Sequence, residues 1–277
     1  MDSHPYRAGS SSFTAYLAQH SPELLPDFQR AVPATAGGPA LELEHGTTIV
    51  AVTYADGAVV AADRRATLGS MIAKRDVRKV FRTDDYSAAG VAGTWSVADS
   101  LMRLFQVELE HYEKLEERPL SLVGKANRLA VMVRGNFAAA MQGLVVVPLF
   151  AGYDQDTRKG RLFGYDVAGG PYEEHRFYTI GSGSIFARGA LKKLYVDDMP
   201  VRDAVLACVH ALYDAADDDS ATGGPDLSRR LFPVIATVTA DGFGWVSDED
   251  SEQYAREVVQ ERMRAPDGPR APLGGDG

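Results

Sequence analysis

Residues 48–63 read Thr48-Ile49-Val50-Ala51-Val52-Thr53-Tyr54, then Ala55-Asp56-Gly57, then Ala58-Val59-Val60-Ala61-Ala62-Asp63. Two β-rich runs around an Asp-Gly step predict a tight hairpin. The pattern recurs outward from it. A second hairpin is predicted around Thr83-Asp84-Asp85, ending in Ala88 to Ala92. A third joins Leu144–Tyr153 to Arg161–Val167 across a polar turn, and a last one joins Val234–Thr239 to Phe243–Val246 across Ala240-Asp241-Gly242. One more strand is predicted near His175 to Ile180.

Helical spacings separate these hairpins. Leu101, Leu104, Phe105, Tyr112 and Leu115 mark one apolar stripe, and Glu108, Glu110, Glu113, Glu116 and Glu117 read as the solvated face of that helix. Pro119 ends it, and Ser121 is placed to cap a second helix reaching about Gln142. Further helices are predicted near residues 185–195, 201–216 and 251–263. This order is not the βαβ alternation of a parallel sheet. It predicts an α+β fold: a four-layer αββα sandwich, two stacked antiparallel sheets between helix layers, in one compact domain.

Composition narrows the function by exclusion. A net charge of −9 argues against nucleic acid, whose phosphates need a basic face. The single cysteine, Cys208, rules out an internal disulfide and fits a reducing compartment. It falls in step with Val201, Ala204, Val205 and Leu212, which reads as a core thiol. The six histidines show no i, i+4 pairing, so no metal and no cofactor is expected. The first residues do not read as a secretory signal, and no stretch approaches the roughly 20 apolar residues that span a bilayer. A cytoplasmic protein without a membrane partner is expected. Residues 1 to about 40 read as a loosely folded leader with a short helix near Ser12 to Gln19. Residues 265–277 carry seven Gly or Pro in thirteen positions, which predicts a disordered tail.

Chemistry is suggested by His45-Gly46-Thr47-Thr48-Ile49-Val50. One reading is a loop entering a strand. The other is a chain cut between Gly46 and Thr47, which leaves the Thr47 hydroxyl beside its own free amine. A threonine hydroxyl is a weak nucleophile until a base takes its proton, and an α-amine titrating at about 7.7–8.0 can serve. Glycine before the cut tolerates the backbone angles a self-cleaving turn requires. Asp217-Asp218-Asp219 reads as a solvated acidic loop. Gly181–Gly183 is not a phosphate loop, for no lysine follows in the required place.

The run from Thr47 to Val52 resembles the mature start of proteasome β-type subunits, which are N-terminal-nucleophile hydrolases. Ordered matches follow. Asp63 stands in Ala61-Ala62-Asp63-Arg64-Arg65, Lys79 in Arg78-Lys79-Val80-Phe81, and Gly93 in Ala92-Gly93-Thr94. Ser182 stands in Gly181-Ser182-Gly183-Ser184, and Asp219 and Thr222 in Asp219-Ser220-Ala221-Thr222-Gly223-Gly224. The resemblance spans roughly Thr47 to Met263, and it implies a threonine endopeptidase acting on unfolded proteins. Thr47 would be the nucleophile and Lys79 a nearby positive charge paired with Asp63. The Gly93 amide would form the oxyanion hole, and Ser182, Asp219 and Thr222 would hold the amine and water. It also implies a substrate pocket of Ala66, Thr67, Val77, Val91 and Trp95, with Thr67 pairing its backbone to an extended substrate.

As domains, the resemblance implies a leader over 1–46 removed by self-cleavage at Gly46–Thr47, a hydrolase domain over 47–264, and the tail over 265–277. As partners it implies proteasome α-type subunits, a homo-heptameric β ring in a stacked four-ring particle of the actinobacterial kind, and a regulatory ATPase ring. Two other readings stand beside it. The simpler bacterial peptidase that works with an unfolding ATPase shares the Thr-Thr start but lacks a long leader. A silent ring component loses Thr47, Lys79 or the glycine before the cut, all of which are present here.

Overall fold

The computed structural model describes residues 12–22, 25 and 46–269. The rest of the expected leader, with His45, and the end of the expected tail lie outside the described residues.

The strands are β1 (Thr48–Tyr54), β2 (Gly57–Ala62), β3 (Ala66–Leu68), β4 (Met71–Lys74), β5 (Val80–Asp84), β6 (Ser87–Gly93), β7 (Val146–Asp154), β8 (Lys159–Tyr165), β9 (Pro171–Glu174), β10 (Phe177–Gly181), β11 (Val234–Thr239) and β12 (Gly242–Trp245). The helices are α1 (Phe13–His20), α2 (Trp95–Glu116), α3 (Leu122–Gly135), α4 (Phe137–Ala140), α5 (Ser184–Leu194), α6 (Val201–Asp218) and α7 (Asp248–Arg264).

Two five-stranded antiparallel sheets form the centre, in the orders β10-β1-β2-β11-β12 and β5-β6-β7-β8-β9. Strands β1 and β2 are almost wholly buried because both faces are covered, so they carry apolar runs rather than alternation. One face of the first sheet meets the second sheet through Ile49, Ala51, Val60, Leu149, Leu162 and Val238. Its other face packs under α5 and α6 through Val50, Val52, Leu191, Val205, Cys208 and Leu212. The second sheet is covered by α2 and α3 through Leu101, Phe105, Leu129, Phe150 and Phe163. The four-layer sandwich expected from the sequence is therefore the observed one, and Cys208 is a core thiol whose pKa burial pushes up.

Local signals set most boundaries. Ser121 Oγ accepts from the Gly124 amide at 3.2 Å and starts α3. Ser247 Oγ accepts from Asp250 N–H at 3.0 Å, which starts α7 three residues before the expected Ser251. Acids in its first turn and arginines in its last complement the helix dipole.

Three differences from the sequence reading stand out. The helix expected to reach Gln142 stops at Gly135. The Asn136 amide caps it, and α4 continues as a separate turn. The hairpin β3–β4 and the edge strand β9 were not anticipated. Glu108 is not solvated: it is 2% exposed beneath α1.

Candidate active site

Thr47 sits immediately before the first paired residue of β1, at the head of a strand flanked by β10 and β2. Its carbonyl accepts from the Ser182 amide at 2.9 Å. Its Oγ1 lies 2.5 Å from the oxygen of Gly46, to which it donates. Lys79 Nζ, carried in just before β5, reaches the same oxygen at 3.1 Å. A carbonyl with a hydroxyl and an ammonium on its oxygen is polarised, and its carbon is the more electrophilic for it.

Glycine is required at position 46 for space. An added methyl group would strike Thr67 Oγ1 and the Ala221 carbonyl.

Asp63 closes the strand pair from the end of β2. One carboxylate oxygen accepts from Lys79 Nζ at 2.7 Å and the Thr48 amide at 2.8 Å; the other accepts from the amides of Arg65 at 2.8 Å and Gly223 at 2.9 Å. With Asp63 at 1% and Lys79 at 2% exposure, this is a buried ion pair whose carboxylate has four donors. Such a pair offsets its desolvation only when its geometry is this complete. Lys79 also donates to the Arg65 carbonyl. Burial lowers the Lys79 pKa, Asp63 opposes that by charge and hydrogen bond, and Arg65 adds to the lowering.

A second polar chain runs beside the first. The Gly183 amide donates to Thr48 Oγ1 at 3.0 Å, and Thr48 Oγ1 pairs with Thr222 Oγ1 at 2.6 Å. Thr222 in turn donates to Asp219 at 2.6 Å. Ser182 Oγ donates to the same Asp219 oxygen at 2.6 Å. Burial works to raise the Asp219 pKa. The two hydroxyls, the Ala221 amide and the charge of Arg65 outweigh it and hold the carboxyl below its ordinary value. Asp219 thus belongs to a hydrogen-bonded corner rather than to a free acidic loop.

Thr47, Asp63, Lys79, Ser182, Asp219 and Thr222 are thereby linked through a few ångströms of contacts. Gly93 ends β6 directly before α2, with φ at +116°, and a methyl group there would strike the Val145 carbonyl. Its amide makes no described contact to Thr47 or Gly46. Of the expected pocket residues, Ala66, Thr67, Val77 and Val91 are buried, while Trp95 is half-buried and stacked on Phe81 at 6.0 Å.

The residues that sequence reasoning passed over are Thr48, Arg65, Gly183 and Gly223. Gly183 and Gly223 act through backbone amides, which leave no mark of residue type, and Arg65 acts through its backbone as well as its charge; Thr48 was legible as the second hydroxyl of the Thr-Thr pair. Among the described residues no cluster of three or more His, Cys, Asp or Glu could hold a metal ion, and no helix is long and apolar enough to cross a membrane.

Two antiparallel sheets stacked between helix layers are the αββα sandwich of proteasome-type subunits. The Proteasome subunit family model matches residues 43–226. The chain is 58% identical to a proteasome subunit beta of Streptosporangium roseum over 266 residues, covering 96% of this chain and 93% of that protein. It is 56% identical to that of Streptomyces griseus, with the same two shares, and 55% identical to that of Acidothermus cellulolyticus over 97% of this chain and 93% of the relative. The chain belongs to the proteasome subunit family, as a β-type member. Membership makes it a core-particle subunit with threonine-type endopeptidase activity, assembled with α-type subunits in a ring particle.

Proposed function

We propose that Thr47 is the nucleophile of this endopeptidase and that the chain exposes it by cutting its own Gly46–Thr47 bond. The observation that carries this reading is the convergence of Thr47 Oγ1 and Lys79 Nζ on the Gly46 carbonyl oxygen. Thr47 Oγ attacks the Gly46 carbon as its hydroxyl proton passes to the Thr47 nitrogen through a water, and Lys79 stabilises the negative charge that develops on the oxygen. The C–N bond to Thr47 breaks as its nitrogen takes that proton, which leaves an ester on Oγ. Water hydrolyses that ester, releasing the Gly46 carboxylate and the free Thr47 amine. Residues 1–46 are in this reading the removable part of a zymogen, and residues 47–264 the working domain.

In the processed chain the amine takes the hydroxyl proton, directly or through a water, as Oγ attacks a substrate carbonyl. Lys79, fixed by Asp63, keeps positive charge beside the hydroxyl and favours its deprotonation. The Gly93 amide faces the oxyanion, and Ser182, Asp219 and Thr222 hold amine and water. The acyl-enzyme ester is then resolved by water. Ala66, Thr67, Val77, Val91 and Trp95 line the pocket before the cut, so apolar residues are preferred there. Faster cleavage after acidic or basic residues would overturn that preference. The assembly is a homo-heptameric β ring stacked with α rings in the cytoplasm, served by a regulatory ATPase ring.

The test is the intact mass of the chain after co-expression with its α-type partner. A product beginning at Thr47 is expected, and none from a Thr47→Ala chain. An uncut chain in a fully assembled particle would overturn the reading in favour of a silent ring component.

A further inference from the structure

Helix α2 holds a buried acid that the catalytic reading does not use. Glu108 follows Leu101, Leu104 and Phe105 on the apolar stripe of α2, yet it is a carboxylate, 2% exposed. Its Oε1 pairs with Arg128 of α3 at 2.5 Å, and its Oε2 accepts the Thr14 amide at 2.8 Å. Thr14 stands in the first turn of α1, in the part of the chain before Thr47. The first turn of a helix has amides without helical partners and a partial positive charge. No acid occurs in the first turn of α1, so the matching anion is supplied across the groove by Glu108.

The rest of the groove matches the same helix. Arg128 Nη2 donates to the hydroxyls of Ser12 and Thr14, the residues that open α1. Leu17 is buried against the body, and Phe13 lies on the His111 ring with centroids 5.2 Å apart. Charge, hydroxyl and apolar matches thus fall on one face of one eight-residue helix.

None of these contacts involves residues near the cut. The Gly46–Thr47 bond lies beyond the whole of residues 26–45, and breaking it removes no partner of Glu108, His111 or Arg128. We propose that the groove between α2 and α3, built on Glu108, His111 and Arg128, is a docking site for the leader helix. It holds the leader as a separate peptide after the chain is cut. Release is therefore a second event, requiring something to displace α1 rather than peptide-bond cleavage alone. The docking rests on contacts within the chain and does not depend on what makes the cut.

The experiment uses the full chain carrying Thr47→Ala, which blocks self-cutting, with a site-specific protease sequence placed within residues 30–38. After digestion the sample is run by size exclusion at micromolar concentration, and the leader fragment is followed by mass. It is expected to travel with the body. Leu17→Asp, which changes only the leader and leaves the body sequence intact, should weaken retention by about tenfold or more, since a buried leucine is replaced by a charge. Thr14→Pro, which deletes the amide that Glu108 accepts, and Glu108→Gln should weaken it in the same direction. A wild-type fragment that elutes alone would overturn the proposal. So would equal retention of the wild-type and Leu17→Asp fragments. An uncut Thr47 in the native chain would defeat the self-processing reading and leave this result standing, since here an added protease makes the cut.

Discussion

Two buried ion pairs in this molecule solve the same electrostatic problem differently. Asp63 draws its cation and three amides from the hydrolase domain itself, so its four donors remain whatever happens before Thr47. Glu108 draws its cation from α3 but its amide from α1, so its set of partners is complete only with the leader in place. Burying a carboxylate is costly unless charge and hydrogen bonds are supplied together. A pair closed within the domain is a fixed tool. A pair shared with the segment before Thr47 is sensitive to that segment's presence.

The comparison breaks first at Lys79. Lys79→Ala removes the ammonium from the Gly46 carbonyl and from the neighbourhood of Thr47, the proposed nucleophile. Peptidase activity and self-cutting should fall by on the order of 10²–10⁴, as for loss of a positioned proton-handling group; fluorogenic peptide hydrolysis and intact mass report both. Activity near the parent level would remove Lys79 from the mechanism. Asp63→Ala should be the larger blow to stability. It leaves a buried ammonium unpaired, at a cost of about 3–5 kcal/mol, read from the denaturant midpoint of the assembled chain. An unchanged midpoint would mean that the closed pair is not what it looks to be.

Glu108→Ala sharpens the contrast, because its cost should depend on the leader. In the uncut Thr47→Ala background the loss should exceed that in a chain starting at Thr47, where the amide partner is already gone. Equal losses in the two backgrounds would place Glu108 among ordinary core ion pairs. A smaller effect, about 1 kcal/mol, is expected for Thr222→Ala, with Thr222→Ser close to parent, because only the hydroxyl bridges Thr48 and Asp219.

The weakest signal is in pH. The Asp219 pKa is depressed in the folded chain, so its stabilisation is fully present above the unfolded value of about 3.9 and fades as pH falls through the lower folded one. Thr222→Ala should narrow that window, seen as loss of order in the 219–224 loop at a higher pH.

The four main hairpins were legible because turn residues and β-rich runs lie within a few positions of each other. Strands β3, β4 and β9 were not. The first two are three and four residues long, β4 is exposed throughout, and β9 opens on a proline at a sheet edge. None shows the alternation that marks a half-buried strand. Glu108 was misread for a different reason. Its spacing from Leu104 and Phe105 put it on the buried stripe, but helical spacing carries no information about Arg128 and Thr14, which lie far off in sequence. In the candidate site the side chains were legible through their resemblance to a family. The amides of Thr48, Arg65, Gly183 and Gly223 were not, since any residue type supplies one.

The first residue of a chain is usually its loosest, since nothing before it holds it and the end frays. Here the antiparallel ladder begins one residue later, at Thr48, and the Thr47 carbonyl is already tied to the amide of Ser182, which directly follows β10. A cut at Gly46–Thr47 would therefore sever the chain at a point beyond which every backbone tie survives. The terminus it creates would be held from the moment of its making, with only the amine and the hydroxyl left to move.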